Sequence, residues 1–412
     1  MLLELNEKRL RKWIKSNGIY GYDPYDLFCQ VPHFRKIIYS ENILVKTTLS
    51  KIYSLAYKFM PLFLRKLFNV KKTANAKGIG LLGLGYFYSY IRTQNESDKH
   101  QLIELTNWLI KNSNNNYPGV SWGYPFDWQS RIFIPKGTPS IVVSCTVGDL
   151  FIKLFQEFGE KKYIDVALGV CEFILKGLNR SIIDDETICF SYTPLDDFQV
   201  HNANLLGAEF LVRVGSILNN KEFISLGLKA SNYALKEQLP DGSLNYWGNS
   251  QNNQPPNTND HYHVGFEIRS LLNIGKITEN SLITEAAIRY YNYYLSNFFL
   301  ENFQGTIPKM TPKVNFPLDI HACAESIILN CFVYEKLGLK KSLDLAIKSS
   351  DWIIKNMQNK DGSFAALKYR YGFIDFNIRI PYLRWGQAWM FYALNYLHYK
   401  LKNNSKYDSS NN

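Results

Sequence analysis

Gln238-Leu239-Pro240-Asp241-Gly242-Ser243-Leu244-Asn245-Tyr246-Trp247-Gly248 has a counterpart further along, Gln358-Asn359-Lys360-Asp361-Gly362-Ser363-Phe364. A looser form, Asn115-Asn116-Tyr117-Pro118-Gly119-Val120-Ser121-Trp122-Gly123, precedes both. Gly119, Gly242 and Gly362 are 123 and 120 residues apart, and each suits a tight turn that needs positive φ. Roughly midway lie two weaker loops, Ser181–Tyr192 and Asn302–Lys309. The period is therefore about 60 residues, the length of two helices with their connections. Between the loops, apolar residues recur at three and four over Val143–Phe158, Tyr163–Leu178, Leu205–Leu218, Phe223–Leu235, Ile283–Phe298, Ile327–Leu337, Leu343–Ile354 and Trp385–Leu401. Turns within a pair are short and polar, such as Gly159-Glu160-Lys161. Pairs start near 78, 142, 203, 264 and 320, and a sixth joins the C-terminal helix to an N-terminal one. Six hairpins closing on themselves make an all-α fold, an α/α toroid with a funnel at one end.

The chain has 412 residues, a net charge of +11, 46% hydrophobic and 20% charged residues, which excludes a disordered or collagen-like chain. Length alone suggests two or three domains; the period favours one ring at 76–402, a basic N-terminal helical extension at 1–75 and a disordered polar tail at 403–412. Residues 1–75 hold fourteen Lys/Arg against five acids, so 14 − 5 = +9 of the charge sits there. That arm suits an anionic membrane face or a biosynthetic partner, or is simply a solvated basic face. The N-terminus lacks a signal-peptide pattern, and Gly78–Ile91, with its four glycines, is too short to span a bilayer. Six cysteines without a C-x-x-C pair read as buried thiols of a cytoplasmic protein.

The unusual residues cluster in the long connections before the first helix of each pair. Ser121–Arg131 carries Trp122, Asp127, Trp128 and Arg131, and His201-Asn202-Ala203-Asn204 follows Ser191–Asp196. Next come Asn259–Phe266 with Asp260, Tyr262 and His263, then Phe316–Glu325 with Asp319, His321 and Glu325, and Tyr382–Trp389 with Arg384 and Trp385. In a toroid these connections emerge on one end, at the N-termini of the inner helices, where free N–H groups favour an anionic group. Each residue also has a plainer account: Asp319 as an N-cap, Asp127 as a loop acceptor, the histidines as satisfied core groups and the tryptophans as wall packing.

At these loops the chain resembles bacterial polysaccharide biosynthesis proteins encoded in capsule and exopolysaccharide clusters. The matching stretches are Gly21–Asp26, Gly123–Arg131, His201–Asn204, His261–Phe266 and Phe316–His321. The resemblance implies an α/α toroid, of the six-hairpin glycosidase-like kind, and a role in glycan assembly. The Asp-Gly-Ser loops also look like the glutamine–tryptophan repeats of squalene cyclases and prenyltransferases, although Asp319-Ile320-His321 lacks the paired aspartates of their protonating motif.

Three chemistries follow. In a lyase or C5-epimerase, His201 or His263 takes a proton, Tyr262 donates one, and Asn202 and Arg384 bind a uronate carboxylate, much as Asn, His, Tyr and Arg serve the toroidal polysaccharide lyases that this set resembles. A glycoside hydrolase needs two flanking carboxylates, Asp127 and Asp319, with Asp260 and Glu325 in reserve. A glycan-binding or scaffold protein needs neither. Trp122, Trp128, Arg131, Asn204, His321 and Trp385 complete the candidate sugar-binding set. No cofactor is expected, a metal held by Asp260, His261, His263, Asp319 and His321 lacks a recognised spacing, and no nucleic-acid motif appears. The expected partner is a glycan or a lipid-linked oligosaccharide.

Overall fold

The computed structural model describes residues 2–31, 58–248, 259–302 and 305–410. Six inner helices form the ring: α4 (Ala76–Thr93), α6 (Ile141–Phe158), α8 (His201–Leu218), α10 (His261–Ile277), α12 (Ile320–Leu337) and α14 (Ala388–Ser410). Each packs on the next, and α14 packs on α4 to close the circle. The outer layer is α1 (Leu2–Asn17), α5 (Glu96–Lys111), α7 (Lys161–Glu172), α9 (Lys221–Glu237), α11 (Ser281–Asn297) and α13 (Lys340–Met357). Thus α1 is the outer partner of α14, and the sixth hairpin is made from the two ends of the chain. Among the described residues, two short helices, α2 (Asp26–Gln30) and α3 (Pro61–Leu67), lie between α1 and α4. The tail after 402 continues α14 as far as Ser410.

Layer follows pattern. In α12 every residue from Ile320 to Cys331 is buried, the mark of a helix covered all round. In α13 the buried residues, among them Leu343, Ala346, Ser350, Ile353 and Met357, alternate with exposed Lys341, Asp344, Lys348 and Lys355 on the solvent side. Glycines bring α4 close to both neighbours: a Cβ at Gly83 would lie 2.4 Å from Leu150 of α6, and one at Gly85 2.4 Å from Phe391 of α14.

The two ends of the ring differ in construction. Inner helices begin on side-chain caps, with Asn75, Ser140, Asp260 and Asp319 accepting first-turn N–H groups. At the far end Gln94, Gly159, Asn219 and Gly338 close them in the left-handed conformation, permitting immediate reversal into the outer helix. The long outer-to-inner connections carry the repeat. Asp241 accepts the Ser243 N–H and hydroxyl at 3.0 and 2.7 Å, and Asp361 does the same for Ser363 at 3.0 and 2.7 Å. The Gln238 side chain bridges the Gly242 carbonyl to Ala286 of α11, and Gln358 bridges Gly362 to Asn6 of α1. The repeat is therefore a clip onto the next outer helix, which explains its period.

All sheets are small. They are β1 (Tyr20–Gly21) with β2 (Thr73–Ala74), β3 (Trp128–Gln129) with β4 (Phe133–Ile134), β5 (Arg180–Asp184) with β6 (Thr187–Phe190), β7 (Phe299–Asn302) with β8 (Gly305–Pro308), and β9 (Leu318–Asp319) with β10 (Leu367–Tyr371) and β11 (Ile374–Ile378). The weaker loops at Ser181–Tyr192 and Asn302–Lys309 thus hold antiparallel ladders, β5–β6 and β7–β8.

Several charges of the basic arm are used internally. Arg9 donates to the carbonyls of Asn359 and Lys360, Arg11 pairs with Glu7 and Asp98, and Arg65, fully buried, pairs with Asp26 at 2.7 Å. Arg35, Lys36, Lys46 and Lys51 lie outside the described residues. No described helix is long and apolar enough to cross a membrane.

Candidate active site at the helix N-termini

Rotation by about 100° per residue decides which first-turn side chains reach the axis. The first residues of α8 and α10 turn outward: His201 stacks on Tyr233 of α9, and His261 bonds Tyr294 of α11 at 2.7 Å. The second residues of four inner helices, Lys77, Tyr262, His321 and Trp389, come together instead. Tyr262 lies on His321 with centroids 4.2 Å apart and planes 5° apart, and His321 lies on Trp389 at 4.6 Å. Trp389 stacks on Phe266, and the Lys77 ammonium sits 5.5 and 5.6 Å from the Phe266 and Trp389 ring centres.

Two capping aspartates hold this layer. Asp319 accepts the His321 N–H at 2.7 Å and the Trp385 indole N–H at 3.0 Å, so Trp385 stands edge-on to His321 and Tyr262. Asp260 caps α10 by accepting the His263 backbone N–H at 3.1 Å, and its carboxylate lies 3.0 Å from His263 Nδ1, beside Tyr262. The order across the layer is His263, Tyr262, His321, Trp389, Lys77. His321 is 2% exposed, yet neither ring nitrogen has a hydrogen-bond partner among the described residues.

Burial sets the protonation states. It pushes the Lys77 ammonium down to about 7, assisted by the Arg384 charge. His321 is held well below the usual histidine range by burial and then by the Lys77 and Arg384 charges, leaving a neutral imidazole. Burial raises Asp319 to about 6 against the hydrogen bond from Trp385. Tyr262 is raised well above 10 by burial and by Asp260, so it keeps its proton. A base poised near neutrality, a neutral imidazole and a phenol therefore share one buried layer, a set suited to moving a proton and stabilising the anion that results.

Of the residues singled out in the sequence, Tyr262, His263, Asp319, His321 and Trp385 meet here. Arg384 is beside them, but its guanidinium is held by Asp23 in a buried bidentate pair at 2.6 and 2.8 Å. The others serve the walls and loops. His201, with burial lowering it to about 4, lies between the layers. Asn204 ties Phe190 to Ala230, and the Trp122 indole donates to the Leu109 carbonyl. Asp127 accepts the Lys136 N–H at 2.7 Å in its own connection, Trp128 packs on Tyr124 and Tyr192, and Arg131 covers Trp247. Asn202 is buried with its side-chain oxygen unpartnered. In the reserve pair, Glu325 bonds Arg269 at 2.8 Å and Asp260 is the α10 cap. Sequence reading weighed Trp389 only as wall packing or a sugar-stacking ring, met Asp23 only within the Gly21–Asp26 stretch, and passed over Lys77. Lys77 had one signal, a single charge opening the apolar, glycine-rich α4.

The expected funnel is displaced. A cavity of about 390 Å³ runs along the axis, but it starts beneath the layer, at Phe266 and Trp389, and reaches the opposite end of the ring at Gln156, Ser216 and Ile277. Aromatic rings fill the end where the motifs converge, with Tyr25 and Phe126 stacked at 5.3 Å beside Trp385. Among the described residues no three His, Cys, Asp or Glu side chains gather as metal ligands.

Comparison with known proteins places this architecture. A sugar epimerase from a ruminal bacterium superposes with a TM-score of 0.61 at 12% identity, covering 80% of this chain and 88% of that one. Cellobiose 2-epimerase from Bacillus thermoamylovorans gives 0.58 at 12% identity over 79% and 88%. The GH76 α-mannanase of Bacteroides thetaiotaomicron gives 0.60 at 11% identity over 93% and 100%. The chain shares their α/α toroid fold. No family model matches the sequence, and no curated protein does.

Proposed function

We propose that the chain is a carbohydrate-active enzyme that moves a proton on a sugar carbon next to a carbonyl or carboxylate. The observation that carries the reading is His321, a buried neutral imidazole with both nitrogens unpartnered, flanked by Tyr262 and within the field of Lys77. Lys77, poised at about 7, takes the proton as the carbon–hydrogen bond breaks. The electron pair moves onto the neighbouring oxygen, where His321 N–H and Tyr262 O–H donate to the developing negative charge. The His263–Asp260 pair, at the other end of the layer, supplies a second base, as inversion at that carbon requires. Asp319 is a positioning residue, since it holds Trp385 and the first turn of α12. Epimerisation, isomerisation and elimination on a uronic acid all share this first step. Two of the superposed structures are those of a sugar epimerase and a cellobiose 2-epimerase, which agrees with the reading. A glycan or lipid-linked oligosaccharide of polysaccharide assembly is the substrate pool that follows from the resemblance noted above.

Incubation in D₂O with mannose, cellobiose and a glucuronate polymer tests this by NMR. Deuterium should enter at one carbon of one of them, and His321→Ala and Lys77→Met should abolish it. Hydrolysis without exchange would transfer the site to the glycoside hydrolase reading. Absence of both reactions, with binding retained, would leave a glycan-binding protein.

A further inference from the structure

The axial cavity beneath the aromatic layer is not used by the proton-transfer reading, and its lining is chemically ordered. Its three acids are all engaged. Asp149 bonds Arg213 at 2.6 Å, Glu209 lies 3.3 Å from the same guanidinium, and Glu335 pairs with Lys400 at 2.5 Å. Of its cations, Arg213 and Arg269 are matched by those acids and by Glu325, whereas Lys153 and Lys336 form no ion pair among the described residues. Lys336 belongs to the last turn of α12, where a cation offsets the helix dipole. Lys153 lies more than a turn before the end of α6, so that account does not cover it.

At the level of Lys153, Asn273 is 5% exposed; its side-chain N–H₂ is taken by Glu209, and its side-chain oxygen has no donor among the described residues. That oxygen can accept a hydroxyl hydrogen but cannot serve an anion. Phe266, Tyr88 and Tyr392 line the same space and give it an aromatic wall suited to the apolar parts of a sugar ring. The volume, about 390 Å³, lies in the range of small-molecule sites.

We infer that this cavity is a second binding site, for a one-ring sugar bearing a carboxylate or phosphate, with the anion on Lys153 and Lys336 and a hydroxyl on Asn273. It is entered from the end opposite the catalytic layer, and it does not depend on the reaction proposed there.

Titration calorimetry on the full chain with glucuronate, glucose 6-phosphate, glucose and inorganic phosphate tests the inference. At least one anionic sugar should bind, with glucose and phosphate each about tenfold weaker or more, the worth of one charge-assisted contact. Lys153→Gln and Lys336→Gln should each weaken the anionic sugar by a similar factor, while His321→Ala should leave it unchanged. Equal binding of glucose, equal binding of phosphate, or affinity untouched by both lysine variants would overturn the assignment. Loss in His321→Ala would also overturn it, by moving the ligand to the other end. Both lysines are half-buried, and the two single variants are read separately, so misfolding of one leaves the other to decide.

Discussion

The two ends of the toroid are built on opposite plans. At the N-termini of the inner helices the connections are long, the residues are aromatic and histidine-rich, and side chains fill the space. At their C-termini the turns are only a few residues long, yet the axis is open and its walls are charged. Long connections bring more side chains than the ring needs for closure, and these pack against one another and narrow the axis there. Short turns supply nothing to cover the hole, so charged residues of the helices themselves face solvent. Density of unusual sequence therefore marks where chemistry can be assembled, whereas open volume marks where the chain has least to spare.

The largest test of this contrast is at Lys77. Lys77→Met should lower turnover by about 10²–10⁴-fold if the lysine is the base, and the step in the pH profile at about 7 should disappear with it. Stability should move the other way. Between 7 and the ordinary value of 10.5 the unfolded lysine holds a proton that the buried one has lost. Wild-type stability therefore rises with pH through that window. The gain from methionine should be greatest at pH 7 and below, and fade toward pH 10.5, in urea melts across the range. Replacing Lys336, at the open end, should change turnover little.

A second test asks how far the N-terminal end of the inner helices depends on buried charge. Arg384→Leu strands Asp23, which is 3% exposed, and should cost about 3–5 kcal/mol in chemical denaturation. Adding Asp23→Asn should recover part of that loss. At the open end Lys336→Gln should stay within about 0.5 kcal/mol, because no partner is left behind.

How much of this was legible follows from what periodicity encodes. Pair starts near 78, 142, 203, 264 and 320 fall within three residues of the inner helices at Ala76, Ile141, His201, His261 and Ile320. A 60-residue repeat sets axial position well. It does not set rotation about each helix axis. His201 and His321 look alike in sequence, each in a polar connection before an apolar helix. One is the first residue of its helix and faces the outer layer, the other is the second and faces the axis. An error of one residue in a predicted boundary is about 100° of direction, enough to exchange wall for site. Lys77 was missed for a related reason: its neighbours suggested an apolar helix, and only closure of the ring sets it against Phe266 and Trp389. The cavity left no sequence signal, because it is bounded by residues from all six inner helices, none unusual alone.

The smallest effects separate ring closure from simple turning. Gly362 and Gly242 have positive φ of 94° and 88°, and a Cβ there would lie 2.4 Å from the Arg9 carbonyl oxygen and 2.8 Å from the Arg289 backbone, respectively. Gly338, at the open end, has φ of 67° and nothing within 4 Å. Alanine at Gly338 should therefore cost only the left-handed penalty, about 1–2 kcal/mol. At Gly362 it adds displacement of backbone belonging to α1, for about 2–4 kcal/mol in all. Gly242→Ala should fall between, since its clash is milder. The order Gly362, Gly242, Gly338 in urea midpoints is what a clip holding successive outer helices demands. Equal losses at all three would mean that these loops merely reverse the chain, and the repeat would lose its role in closing the ring.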